Sequence, residues 1–131
     1  KGVCRHWLIF PVRVLQNEVP AFYRASVFSL LFRYNNRKND AGFPTKFVES
    51  MSYAVPVICN LTSDLGSYVE HGSNGYVLHS PCADELAALF GELVMLNSDA
   101  LTQMKMAAFS SALQHFDYRV HQQRMNYFFN F

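Results

Sequence analysis

AGFPTKFVESMSYAVPVICN, residues 41–60, reads as a loop, a helix, a tight turn and a buried strand. Gly42, Phe43 and Pro44 make a stiff, non-helical lead-in. Pro44 or Thr45 can start the helix, because proline's fixed φ and missing N–H suit a first turn. The helix is expected to run to about Tyr53, Pro56 to end the turn, and Val57-Ile58-Cys59 to continue as a short apolar strand. A helix start carries free backbone N–H groups and a partial positive charge, so it suits phosphates and sugar hydroxyls. Glu49 lies about one turn in, on the same side as Thr45 by i, i+4 spacing. A carboxylate there can accept from two adjacent hydroxyls, as on a ribose. A Glu on an amphipathic helix also reads as a plain solvated residue.

Upstream, Val27–Phe32 (VFSLLF) is an apolar run without clean alternation, as expected of an interior parallel strand covered on both faces. Between it and the central stretch, residues 33–41 (RYNNRKNDA) are the most polar segment and are expected to break regular structure. In an open parallel α/β sheet, ligands sit against loops that leave the carboxyl ends of strands. Arg33 and Arg37 are therefore candidate diphosphate contacts, since guanidinium pairs well with phosphate oxygens. Loop arginines also simply keep a long loop soluble. Further upstream, Asn17 can cap a helix beginning at Glu18 with Pro20 in its first turn, and Trp7-Leu8-Ile9-Phe10 reads as a buried strand.

Downstream, Ser63 or Asp64 is expected to cap a short helix to about Glu70, closed by Gly72, with Gly72, Asn74 and Gly75 as turn formers allowing positive φ. Tyr76-Val77-Leu78 is the last strand. Leu86, Leu89, Phe90 and Leu93 form the apolar stripe of a helix over about residues 83–96, after Pro81. Ser98 is expected to cap a long helix to about His115 along Leu101, Met104, Ala108 and Ala112, and Asp117 a final aromatic helix. Alternating strands and helices give an α/β fold with a parallel sheet.

Composition sets the limits. At 131 residues, 50% hydrophobic and 16% charged, the chain is one modest globular domain. A net charge of +1 without basic runs offers nothing to nucleic acid. Aromatics reach 15%, enough to suggest surface meant for another domain or chain. Cys4, Cys59 and Cys82 have neither pairing nor metal-ligand spacing and read as free thiols, and the five histidines contain no i, i+4 pair, so no metal site is expected. No secretory leader or bilayer-spanning run is evident, and the chain opens on Lys1 rather than Met, as a processed or truncated chain would.

GFPTKFVESMSYAVPVI resembles the signature region of family-4 glycosyltransferases, retaining enzymes built from two Rossmann-like domains in the GT-B architecture. That family carries a Glu-x7-Glu motif followed by Ala/Ser-Met-Ala-x-Gly-x-Pro-Val-Ile. Glu49 matches the second glutamate, which in the family binds the ribose hydroxyls of the nucleotide-sugar donor. The first glutamate, a donor-sugar contact, is replaced by Ala41; Asp40 or Asn39 next door could supply a polar group. Lys46 fits the Gly-Phe-Pro-x-Lys variant found in bacterial surface-polysaccharide synthesis. Glu18–Ser26, the 71–75 turn and Phe116-Asp117-Tyr118 resemble further family segments, and Thr62 and Ser63 fall in a loop that lies beside the donor.

The resemblance implies a partial, Rossmann-like α/β domain over residues 1–131, the later part of a C-terminal donor domain. Its core is at about 7–96 and its C-terminal helices at about 98–131. The acceptor-binding N-terminal domain and the first βα units, with the family's Arg/Lys pair for the diphosphate, fall outside the chain. The 7–10 strand then lacks its usual neighbours. It is expected to pair at the free edge beside Val27–Phe32, to pair with another chain, including a second copy of this one, or to lie poorly ordered. The implied activity is metal-independent transfer of a sugar from a nucleotide-diphosphate sugar, with retention, in surface or capsular polysaccharide synthesis. No catalytic side chain and no cofactor is implied, and this chain alone would be inactive. Binding would fall to Glu49, Gly42, Phe43, Pro44, Thr45 and Lys46. The implied location is cytoplasmic, extending to the inner membrane face, with an acceptor that can be membrane-associated. The alternative is a degenerate, non-catalytic nucleotide-binding or assembly module.

Overall fold

The structure, a computed structural model, describes residues 13–80 and 82–129. In chain order its elements are α1 (Val19–Ala25), β1 (Ser29–Leu31), α2 (Arg37–Asp40), α3 (Thr45–Ser52), β2 (Val57–Cys59), a 3-10 turn (Leu65–Ser67), β3 (Gly75–Val77), α4 (Ala83–Val94), α5 (Ser98–Phe116) and α6 (Tyr118–Phe129). The expected 7–10 strand, Cys4 and Pro81 lie outside the described residues.

The three strands form one parallel sheet in the order β1-β2-β3. Val57, Ile58 and Cys59 of the central strand are all fully buried, as a strand covered on both faces must be. Because side chains alternate across a strand, Val57 and Cys59 enter one layer with Phe47, Met51, Leu65, Ala108 and Ala112. Ile58 enters the other, with Tyr76, Leu78, Leu89 and Met104, against which Leu86, Phe90 and Leu93 of α4 pack. The small Ala108 and Ala112 let α5 lie close against α3. Burying Phe47, Met51, Ile58 and Leu65 completely contributes about 1.5–3 kcal/mol each.

The turn between α3 and β2 fixes the heart of the domain. Val55 N–H donates to Ser50 O at 3.0 Å and Ala54 N–H to Met51 O at 2.9 Å, the paired bonds of a Schellman closure. The buried Ser50 hydroxyl adds a 2.8 Å bond to Val55 O. Ala54 occupies the left-handed position of that closure at φ +57°, where the family segment quoted above has glycine.

Several local expectations are corrected. Residues 33–41 are not irregular throughout: the Asn36 side chain accepts from Asn39 N–H at 2.9 Å and caps the single turn α2. No helix runs from 64 to 70. Ser63 adopts φ +54° and the chain makes only the 3-10 turn, anchored by buried Leu65. Asn97 rather than Ser98 caps α5, its carbonyl accepting from Ala100 N–H at 2.8 Å. Glu18 rather than Asn17 precedes α1. Of the two turn glycines, Gly72 takes φ +79°, whereas Gly75 is a strand residue pressed against Val57. Asp117 does meet the start of α6, accepting from Arg119 N–H at 2.9 Å. The Arg119 guanidinium beside it holds its carboxyl down at about 2.

Helix α6 has no buried residue; Tyr118, Tyr127 and Phe128 are exposed. Among the described residues no helix is long and apolar enough to cross a membrane.

Candidate functional site

Loops leaving β1 and β2 meet at the carboxyl edge of the sheet, where an open parallel α/β fold receives ligands. Asn60, just beyond β2 and buried, ties them together. Its Oδ1 accepts from Arg33 N–H at 2.9 Å and its Nδ2 donates to Arg33 O at 2.7 Å. The amide side chain thus continues the β1–β2 ladder by one rung. Beside it, Ser63 N–H donates to Asp40 Oδ1 at 3.4 Å.

The Gly-Phe-Pro bend is held from two sides. Arg33 donates from Nη1 to Gly42 O at 2.8 Å and from Nη2 to Asn39 Oδ1 at 3.3 Å, so this guanidinium grips the loop. Phe43 is inserted among Phe47, Tyr68 and Phe116 at centroid distances of 5.9, 5.4 and 5.6 Å. Such aromatic pairs contribute about 0.5–1.5 kcal/mol each beyond their burial. Phe43 therefore anchors the bend through its ring, and any ligand contact at 42–44 falls to backbone.

Helix α3 opens directly from that bend. Pro44 at its N-cap offers no side-chain acceptor, so the first amides, at Thr45 and Lys46, have neither a capping side chain nor a preceding turn to bond. Thr45, Lys46 and Glu49 are exposed on this helix, as is Arg37 on α2. Glu49 has one neighbour that sequence spacing did not reveal. Tyr23 of α1 donates its hydroxyl to Glu49 Oε2 at 3.3 Å. The Tyr23 ring stacks on Tyr53, at the end of α3, with centroids 5.3 Å apart and planes 9° off parallel. Burial, then the Glu49 charge, pushes the Tyr23 hydroxyl up to about 12, so it stays a proton donor.

Thr62 is buried, and its hydroxyl oxygen has no hydrogen-bond partner. A groove of about 490 Å³ lies elsewhere, between the 66–74 segment and α5, lined by Ser67, Glu70, Ser73, Ser110, Gln114 and His115. Among the described residues no three His, Cys, Asp or Glu side chains converge to hold a metal ion. Cys59 is sealed in the core, which pushes its thiol up to about 11, while Cys82 is exposed.

This is an open parallel α/β domain whose first strand loops and uncapped helix α3 converge on one edge. The chain belongs to the glycosyl transferases group 1 family, whose sequence profile matches residues 5–110. Its fold is similar to that of HepE from Anabaena, solved in complex with UDP-glucose and with UDP. The identity is 21% and the TM-score 0.66, over 86% of this chain and 30% of that one. It is also similar to the C-terminal domain of the group 1 protein LpcC from Francisella tularensis, at 17% identity and TM-score 0.61, over 84% of this chain and 52% of that one. No curated protein matches the sequence. The likeness makes the described sheet and helices part of a GT-B domain, and the chain spans under a third of the HepE length.

Proposed function

We propose that this chain is the donor-binding part of a retaining glycosyltransferase of family 4, which transfers a sugar from a nucleotide-diphosphate sugar in bacterial surface polysaccharide synthesis. The observation that carries this reading is the exposed Glu49 carboxylate one turn inside a helix whose N-terminus has no side-chain cap. Glu49 would accept from the ribose hydroxyls. The amides at Thr45 and Lys46, with the positive end of α3, would face the diphosphate or sugar, helped by the Lys46 and Arg37 cations. Arg33 would act one step back, by fixing the Gly42 carbonyl. Catalysis of this kind rests on positioning and on stabilising the departing diphosphate. The remaining walls of the cleft would come from parts of the protein outside this chain, including an acceptor domain. That is why we do not place the donor in the groove against α5.

Ala41 favours a second reading. It is exposed and brings no carboxylate to the place where the family has its first glutamate. A protein that binds nucleotide but no longer selects a sugar would look the same here. Calorimetric titration of the full-length protein with UDP, GDP and their sugars separates the two. The enzyme reading expects a nucleotide-sugar to bind and Glu49→Ala to weaken it at least tenfold (about 1.4 kcal/mol). Binding of a free nucleotide with no gain from any sugar supports the degenerate module. No binding at all removes both.

A further inference from the structure

We propose that Tyr23 is the positioning residue for Glu49: its hydroxyl holds one carboxylate oxygen so that the other faces the ribose diol. The inference rests on the donor reading above and adds a second helix to the site. A glutamate on an open helix face samples many rotamers, and ordering one costs side-chain entropy. Preorganisation removes that cost before the ligand arrives. Here the restraint comes from a residue 26 positions upstream, on another element. The flat stack on Tyr53 fixes the Tyr23 ring, and a fixed ring fixes where its O–H points. The bond engages Oε2 only, which leaves Oε1 to accept from the ligand. Its 3.3 Å length leaves room for it to shorten as a diol draws the carboxylate into place. The hydroxyl, raised to about 12, does not ionise under any condition in which the protein would work.

Tyr23→Phe keeps the ring and its stack and removes one oxygen, so a role in packing α1 against α3 is retained. The full-length protein and its Tyr23→Phe, Glu49→Gln and doubly substituted forms are titrated with UDP and GDP, and with their 2′,3′-dideoxy forms. Tyr23→Phe is expected to weaken the preferred ribonucleotide by about three- to tenfold, the worth of one hydrogen bond, and to leave its 2′,3′-dideoxy form unchanged. Adding it to Glu49→Gln is expected to cause no further loss, because the pair acts as a unit. Equal weakening of the ribo and dideoxy forms, or no weakening of either, overturns the role of Tyr23 while Glu49→Gln still shows the ribose contact. If Glu49→Gln itself spares ribonucleotide binding, or wild type binds neither nucleotide, the donor reading fails and Tyr23 with it.

Discussion

Replacing glycine by alanine at two positions should move stability in opposite directions, and the structure gives both signs. At Gly75 a Cβ would stand 2.5 Å from Val57 O, 3.1 Å from Val69 Cγ2 and 3.4 Å from Val57 N. The first contact is with backbone that is itself paired in the β2–β3 ladder, so relief requires the strands to separate. Overpacking of a rigid site costs about 1–3 kcal/mol, and a weakened ladder bond about 1 kcal/mol more. A less flexible unfolded chain returns about 0.4–1 kcal/mol. The net expectation is a loss of about 2–3 kcal/mol from a total that for this length is about 7–20 kcal/mol. Gly91 sits in the exposed interior of α4, and an added Cβ there meets nothing within 4 Å. The same substitution there is expected to stabilise by about 0.5–1 kcal/mol through helix propensity. Urea unfolding followed by far-UV circular dichroism reads both. With a slope of about 1–3 kcal/mol per molar, Gly75→Ala lowers the midpoint by roughly 1–2 M and Gly91→Ala raises it by a few tenths. Midpoints moving the same way, or a Gly75→Ala protein as stable as wild type, would refute the tight β2–β3 approach.

Other perturbations follow from single features. Ala54→Gly relieves a residue held at φ +57°; set against glycine's greater unfolded entropy, it should stabilise by about 0.5–1 kcal/mol in the same assay. Cys59, with its thiol raised to about 11, stays protonated in the folded state while the unfolded chain ionises from about pH 9. Stability should therefore fall as pH rises from 9 to 11, by up to about 2–3 kcal/mol from this group. Cys59→Ala should flatten that decline in alkaline unfolding curves. In native protein, thiol labelling at pH 8 followed by peptide mapping should mark Cys82 and spare Cys59. Asn60→Ala leaves Arg33 N–H and C=O without their partner. The expected loss is about 1–3 kcal/mol, with faster hydrogen exchange at Arg33 than at Leu30.

Much of the fold was legible where punctuation and periodicity agreed. Pro44 and Pro56 bracket α3 and the turn that leads into β2, and the Val57-Ile58-Cys59 run could only be an interior strand once a helix preceded it. The 86-89-90-93 stripe located α4 because that face alone meets the sheet. Features set by one side chain or one backbone angle were not legible. Asn97 and Ser98 are both good caps, and the local backbone chose the first. A helix over 64–70 lost to a 3-10 turn because Ser63 takes a left-handed angle and Gly66 adds little helix propensity. Gly75 looks like any turn glycine until the strand beside it is placed. At the site, the exposed Glu49 and the α3 opening could be read from spacing. The use of Arg33 on Gly42 and of Tyr23 on Glu49 could not, since both depend on contacts that only the packed sheet and helices bring about.

The central claim is that the ribose of a nucleotide donor rests on Glu49. A crystal structure of the full-length protein with bound nucleotide diphosphate tests it most directly. The account predicts both ribose hydroxyls within hydrogen-bond distance of the Glu49 carboxylate, and the diphosphate over the amides that open α3. Nucleotide seated in the Ser110–Gln114 groove, with Glu49 facing only solvent, would contradict it.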